Sequence, residues 1–200
     1  MQSIVTKYVL QYTTLTFWVT LLYCTSFEMA NGIKTHLQEP ILPQISDFVA
    51  LVFLPHGVRV VFTWLYGWRA IGPLFIAQIF CGFFLFDVTD ILNLHIWGAA
   101  FVSSICIFIA CECLRKAGYK VYAYETTRFN WKKLILIGLL GSIVNALGNT
   151  LVFRVYIPSE DHLTTVLNYI VGDTIGTVIA LFILMYSFRL IRSYSALLNK

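Results

Sequence analysis

Hydrophobic positions in this sequence form six long runs separated by short polar segments. Each run is long enough to cross a hydrocarbon core of about 30 Å as a helix. A membrane barrel would need alternating segments of about ten residues, and that alternation is absent. We therefore predict an all-α, polytopic transmembrane bundle of about six helices, forming one integral membrane domain over residues 1–200. The predicted spans are residues 8–27, 47–66, 70–86, 94–113, 133–153 and 164–188.

The composition of the chain agrees with this pattern. Hydrophobic residues make up 58% of its 200 residues and charged residues only 12%. A soluble fold of this length needs a more polar exterior than that composition supplies. A soluble enzyme, a disordered tail and a nucleic-acid-binding domain are excluded, and the lipid bilayer is the expected partner.

The charged residues predict the orientation of the bundle, because basic residues accumulate on the cytoplasmic side of a membrane. With both termini in the cytoplasm, most of the 14 Lys and Arg residues fall inside, six of them around the loop 115–133. We expect a multi-pass protein of the bacterial inner membrane whose net charge of +4 contacts anionic lipid. The basic loop is the candidate docking site for a cytoplasmic signalling or transporter partner, and a homo-oligomer stays open.

The second predicted span contains a sequence that interrupts helices. Pro55 removes a backbone donor and Gly57 permits unusual dihedral angles, so we predict a helix broken at Pro55–Gly57. Broken helices inside membranes expose backbone groups that can build ligand sites. His56 and Arg59 would share one helix face beyond the break and are candidate ligand-binding residues. The alternative is a kink needed for packing, with Arg59 paired or reaching the interface.

An aspartate in the last predicted span is the second costly polar residue. An ionisable group at this depth needs compensation, and Arg59 is the expected partner of Asp173. Gly172 and Gly176 form a small-residue face that favours close helix approach. Asp173 is therefore either half of a structural ion pair or part of a ligand or proton site.

The fifth predicted span contributes an amide to the candidate polar residues inside the membrane. Asn145 lies on a helix face of small residues, where it either supports packing or lines a polar cavity as a ligand-binding residue. Cys111 and Cys113 lack the second cysteine pair of a typical metal site, and no catalytic motif is present. We expect no metal, no cofactor and no enzymatic activity.

Two short stretches resemble a known family. Residues 53–58, followed by 67–70 and 72–73, and then residues 169–176, resemble in order the motifs of the membrane-associated sensor domain family, first type. The resemblance implies an integral membrane sensor-like module, here without an output domain after Lys200, that binds a small ligand or senses a membrane signal and relays it to a cytoplasmic partner. Its core motif residues would be Pro55, His56, Gly57, Gly172 and Asp173.

A second resemblance is architectural. The substrate-binding subunits of energy-coupling-factor vitamin transporters are also six-helix proteins of about this size with both ends inside. The alternative function is therefore a transporter binding subunit or small transporter that uses the broken helix and Asp173.

Overall fold

The structure is a computed structural model that describes residues 2–41, 50–85, 93–126, 130–158 and 161–198. Within these ranges the chain is helical and contains no strand, so the predicted all-α class is confirmed. The bundle consists of α1 (Gln2–Ile33), α2 (Leu54–Tyr66), α3 (Ile71–Leu85), α4 (Leu94–Lys116), α5 (Trp131–Val152) and α6 (His162–Leu198). Shorter helical segments are Lys34–Gln38, Glu39–Ile41, Gly67–Ala70 and Ala123–Glu125.

Consecutive helices run in alternate directions. Along α1, Tyr23 contacts Arg59 and Phe27 contacts Phe53, so α2 is antiparallel to α1. The same relation holds between α4 and α5 and between α5 and α6. We call the end with the segments Gly67–Ala70 and Ala123–Glu125 the loop end, and the opposite end the mouth end. Both α1 and α6 have their terminal ends at the loop end, as an even number of antiparallel helices requires.

Four segments of the described chain are long and apolar enough to cross a membrane. They are Leu54–Phe84, Leu94–Lys116, Trp131–Val152 and His162–Tyr194. The first of them comprises α2, a 3-10 turn and α3. Helix α1 covers the predicted span 8–27 but is not among the four. The coarser prediction, a helical membrane protein, agrees with this finding.

Helix α2 begins at the predicted break rather than bending there. Residues 50–53 are not helical, the helix starts at Leu54, and Pro55 occupies its first turn. Proline suits this position because its missing N–H would have no intrahelical acceptor there. The prediction of a helix broken at Pro55–Gly57 is therefore corrected for the described residues: the helical part of the 47–66 span starts at this point, and positions 47–49 lie outside the described residues.

The non-helical segment 50–53 packs against the middle of α6. The Phe53 amide donates a hydrogen bond to the Gly172 carbonyl oxygen at 3.0 Å. A Cβ at Gly176 would collide with the Phe53 carbonyl, and one at Gly172 would collide with the Ala50 carbonyl. The two glycines thus allow close approach, as their spacing predicts, but to irregular backbone rather than to another helix at this point. Irregular backbone at membrane depth has to be buried in protein in this way.

The loop end holds an apolar core. It contains the buried residues Val60, Ile107, Leu134, Ile137 and Leu181, with Tyr122 packed over them. These side chains come from four helices and from the loop after α4, so the core joins α2, α4, α5 and α6 at the loop end.

The loop after α4 is fastened to this core. The Tyr122 hydroxyl donates to Glu112 Oε1 at 2.7 Å, and Glu125 Oε2 accepts from the Val121 and Tyr122 amides at 2.8 and 3.0 Å. Burial and the bond to Glu112 raise the pKa of the Tyr122 phenol. The described part of the basic loop is therefore an ordered cap rather than a loose linker.

Candidate functional site

Two ionisable side chains meet at the centre of the bundle. His56 lies in the first turn of α2 and Asp173 in the middle of α6, and both are almost fully buried. His56 Nδ1 lies 3.1 Å from Asp173 Oδ2, and His56 Nε2 lies 3.1 Å from the Gly138 carbonyl oxygen of α5. The start of α2 at Leu54 positions His56, because the helix begins beside the glycines and Asp173 of α6.

A network of amides and a hydroxyl surrounds Asp173. Asn145 Nδ2 donates to Asp173 Oδ2 at 2.7 Å. Ser103 Oγ donates to Asn145 Oδ1 at 2.9 Å, and Asn149 Nδ2 donates to the same oxygen at 2.8 Å. Each of these side chains is buried, and each bond offsets the cost of removing a polar group from water. The network joins α4, α5 and α6 around one carboxyl group.

Arg59 lies one helical turn beyond His56 and is 2% exposed. Its Nη1 is 3.3 Å from His56 Nδ1, and its Nη2 donates to the Tyr23 hydroxyl at 3.3 Å. The guanidinium carbon also lies 5.9 Å from the centre of the Tyr23 ring and 5.2 Å from that of Phe53. Cation–π contacts of this kind stabilise a desolvated charge. Among the described residues, Arg59 Nε has no hydrogen-bond partner.

A cavity of about 820 Å³ extends from the mouth end to this polar cluster. Arg59, Asn145 and Asp173 are the most deeply buried polar residues that line it, and we call this part of the cavity the floor. Aromatic side chains make up much of the wall, namely Tyr23, Phe27, Phe53, Phe153, Tyr156 and Tyr169. A mostly apolar space with a few convergent polar groups is the usual form of a small-molecule site.

The four candidate ligand-binding residues come together in the structure. Asn145, Arg59 and Asp173 line the cavity, and His56 lies directly behind them. The expected direct pair of Arg59 with Asp173 is replaced by an indirect one, because His56 lies between the two side chains. The sequence pattern did not indicate this link, since Arg59 was the expected deep basic partner of the carboxyl group.

Three further contributors were not singled out as site residues. Ser103 and Asn149 extend the network around Asn145, and Tyr23 holds Arg59 from the side of α1. Asn149 lies one turn beyond Asn145, which is a signal that the sequence contains. Ser103 and Tyr23 are ordinary residues of membrane helices, and only the packing of the bundle distinguishes them.

Metal ligands do not cluster in the part of the chain that the structure describes. No group of three His, Cys, Asp or Glu side chains comes together there. Cys111 is buried while Cys113 is exposed, so the two thiols of this pair face different surroundings. The polar groups at the floor supply hydrogen-bond donors, hydrogen-bond acceptors and charge.

The chain was compared with known protein families, curated proteins and solved structures, and none of them matches it. The geometry of the cavity and its floor thus carries the functional argument.

Proposed function

We propose that this chain is a membrane-embedded sensor module that binds a small molecule in the cavity and relays the change in helix packing to a cytoplasmic partner. The observation that carries the proposal is the cavity of about 820 Å³, whose floor consists of buried polar side chains from three different helices. Ligand sites typically occupy about 300–1,000 Å³ and place a few polar groups in apolar surroundings.

In this proposal all six helices cross the bacterial inner membrane, and the loop end faces the cytoplasm. The exposed basic residues Arg115, Lys116 and Lys120 at the loop end support this orientation. Helices α2 and α3 have 13 and 15 residues, fewer than the about 20 that a full crossing needs. Helix α2 would cross together with the non-helical segment 50–53 that precedes it. Both termini would then be cytoplasmic.

Helix α6 is the proposed route from the site to the partner. It carries Asp173 at the floor and continues to Leu198, and its 37 residues give a length of about 55 Å, well beyond a hydrocarbon core of about 30 Å. A ligand that rearranges the bonds of Asp173 would shift α6 relative to α2. The partner would dock where α6 emerges beside the basic loop 115–133. The resemblance of residues 53–58 and 169–176 to the membrane-associated sensor domain family supports this assignment.

A cavity-filling substitution tests ligand binding. Ala100 lines the cavity and is 7% exposed, so Ala100→Trp should fill the space, whereas Phe101→Trp places the same side chain on the outer face of α4. Thermal unfolding of the purified protein in lipid nanodiscs should identify small molecules that raise the transition temperature, since binding to the folded state stabilises it. They should act on wild type and Phe101→Trp but not on Ala100→Trp. Equal stabilisation of all three proteins would contradict the proposal.

The relay and the transporter alternative need separate measurements. A molecule found in this way should change hydrogen exchange of the α6 segment 182–194 if the module is a sensor. Transporter sites also combine polar groups with a non-helical backbone segment, so this feature supports the transporter alternative as well. Saturable accumulation of the same molecule in proteoliposomes, by the chain alone or with a coupling module, would replace the sensor proposal by the transporter one.

A further inference from the structure

We infer that the ligand of this cavity is an organic anion with an apolar body, and that its binding is linked to one proton held between His56 and Asp173. The inference rests on the proposed function, because it concerns the same cavity. It is carried by the hydrogen-bond pattern of the floor and by the charges that this pattern leaves there.

The pattern around His56 requires a proton on the pair. The Gly138 carbonyl oxygen can only accept, so His56 Nε2, 3.1 Å away, has to carry a hydrogen. In a neutral imidazole Nδ1 is then a lone pair, and it lies 3.1 Å from Asp173 Oδ2. An ionised carboxylate oxygen is also an acceptor, and two acceptors do not form a hydrogen bond. One additional proton between Nδ1 and Oδ2 resolves this conflict.

The position of Arg59 indicates which atom holds that proton. Arg59 Nη1 can only donate, and it lies 3.3 Å from the same Nδ1. An imidazolium would place two positive groups against each other at that distance. A neutral His56 facing a protonated Asp173 lets Nδ1 accept from both neighbours, while Oδ2 still accepts from Asn145 Nδ2 at 2.7 Å.

The charge of the floor follows from this state. With one shared proton, His56 and Asp173 together are neutral, and Arg59 leaves one net positive charge. Without the proton the pair is negative and the floor as a whole is neutral. A single desolvated positive charge that lines the cavity is a site for an anion.

The other titratable groups around the pair do not cancel this charge. Phenols and thiols are largely protonated and neutral near pH 7. The groups that face the cluster from α1, α4 and α6 are of these two kinds, namely Tyr23, Cys106 and Tyr169. The neighbour contributed by α5 is the amide of Asn145. At the mouth end the cavity is lined by Lys34, which lies 4.0 Å from Glu39.

The walls define the rest of the ligand. Their aromatic and apolar side chains would cover a flat or branched apolar body, with the anionic group directed to Arg59. An aromatic carboxylate from solution and a fatty acid from the bilayer share this chemistry. Because the ligand anion and the proton favour each other at the floor, linkage makes the effect reciprocal. Anion affinity should fall as pH rises and the pair loses its proton.

Three small molecules that share a phenyl ring on a three-carbon chain and differ in charge test the ligand class. Wild-type protein in phosphatidylcholine nanodiscs is titrated with 3-phenylpropionate, 3-phenylpropionamide and 3-phenylpropylamine, and empty nanodiscs serve as the control for partition into lipid. Saturation-transfer NMR should show the carboxylate binding at least about tenfold tighter than the amide or the amine, which corresponds to about 1.4 kcal/mol. Octanoate represents a fatty acid that reaches the cavity from the bilayer. If octanoate binds more tightly than 3-phenylpropionate, the ligand is assigned to the bilayer.

Variants of the floor test the charge and the proton separately. Arg59→Gln should abolish the preference for the carboxylate, Arg59→Lys should retain it, and Arg189→Gln on exposed α6 is the matched control. Between pH 5.5 and 9.5 the wild-type affinity should fall at least about fivefold. Asp173→Asn should remove that pH dependence, because an amide does not titrate, while its nitrogen still donates to His56 Nδ1. This variant keeps the test valid if Arg59→Gln does not fold.

Each remaining outcome has a definite meaning. If the amide binds as tightly as the carboxylate and Ala100→Trp still blocks its binding, the ligand is not selected for its negative charge. That result overturns the anion inference and leaves the proposed function standing. A flat wild-type pH profile, or an Asp173→Asn profile as steep as that of wild type, overturns the proton link. If none of the probes shows binding that Ala100→Trp blocks, both this inference and the proposed function are overturned.

Discussion

The two ends of the bundle are built from the same helices but differ in how their centre is filled. At the loop end, buried apolar side chains such as Ile107 and Leu134 form a core, and Tyr122 packs over them. At the mouth end the helices surround a cavity of about 820 Å³ with polar side chains at its base. One helix such as α5 therefore contributes Ile137 to a buried core and Asn145, two turns further on, to the floor of the cavity.

This difference shows how a small membrane bundle combines stability with function. Tight packing stabilises the native state, whereas a cavity gives up van der Waals contacts in exchange for space. Concentrating the packing at the loop end leaves the mouth end free to hold polar groups that would weaken a core. The predictions below test this division, beginning with the largest expected effect.

Matched truncations should separate the two ends most clearly. Ile137 is fully buried in the loop-end core, and Ile137→Ala should destabilise the protein by about 4 kcal/mol through lost contacts and a new void. Ile96 lines the existing cavity, so Ile96→Ala should cost only about 1 kcal/mol. Reversible unfolding in mixed micelles measures both. Equal losses for the two variants would show that the ends do not differ in packing.

The contact between segment 50–53 and α6 should be nearly as sensitive. Gly176→Ala places a methyl group against the Phe53 backbone and should cost about 3 kcal/mol, since backbone has to move. A methyl group at Gly32 would meet nothing from the rest of the chain within 4 Å, so Gly32→Ala should be neutral or slightly stabilising in the same assay. If Gly176→Ala costs less than about 0.5 kcal/mol, which is the usual range of surface substitutions, the segment is not held closely.

The smallest effect is expected at the cap of the loop end. Tyr122→Phe removes the bond to Glu112 and should cost about 1 kcal/mol near pH 8. The pKa of the Tyr122 phenol is raised in the folded protein, so its contribution is complete below the ordinary phenol value of about 10 and is lost as pH rises above it. The difference between wild type and variant should therefore shrink by about pH 11. A stability difference between wild type and Tyr122→Phe that grows with pH would contradict the stabilising role of the Tyr122 hydroxyl.

Much of the fold could be predicted from the sequence, because lipid allows few alternatives to helices. Hydrophobic runs predict the all-α class, and the helices α3, α4 and α5 lie within a few residues of their predicted spans. The start of α2 could not be predicted, since the pattern treats residues 47–66 as one run. Whether Pro55 bends a helix or begins one depends on what the preceding backbone contacts, here the glycines of α6.

Four side chains of the candidate site were named from the sequence, whereas the bonds between them and the contributions of Ser103 and Tyr23 were not. The cost of ionisable groups in lipid identifies Arg59 and Asp173, and their depth along the chain brings them together. The sequence does not show that His56 lies between them, because that order depends on side-chain directions across two helices. It also does not show the cavity, which depends on how side chains from several helices come together.

The length of α6 has a mechanical consequence. Between Asp173 and Tyr194 the helix rises about 31 Å at 1.5 Å per residue. A rigid rod of that length, pivoting at the carboxyl group, turns a tilt of about 5° into a sideways movement of about 3 Å at its far end. In the proposed relay, a small rearrangement of the hydrogen bonds of Asp173 would thus become a displacement of several ångströms where the partner docks. The helix α6 would act as a lever arm that pivots at the cavity floor.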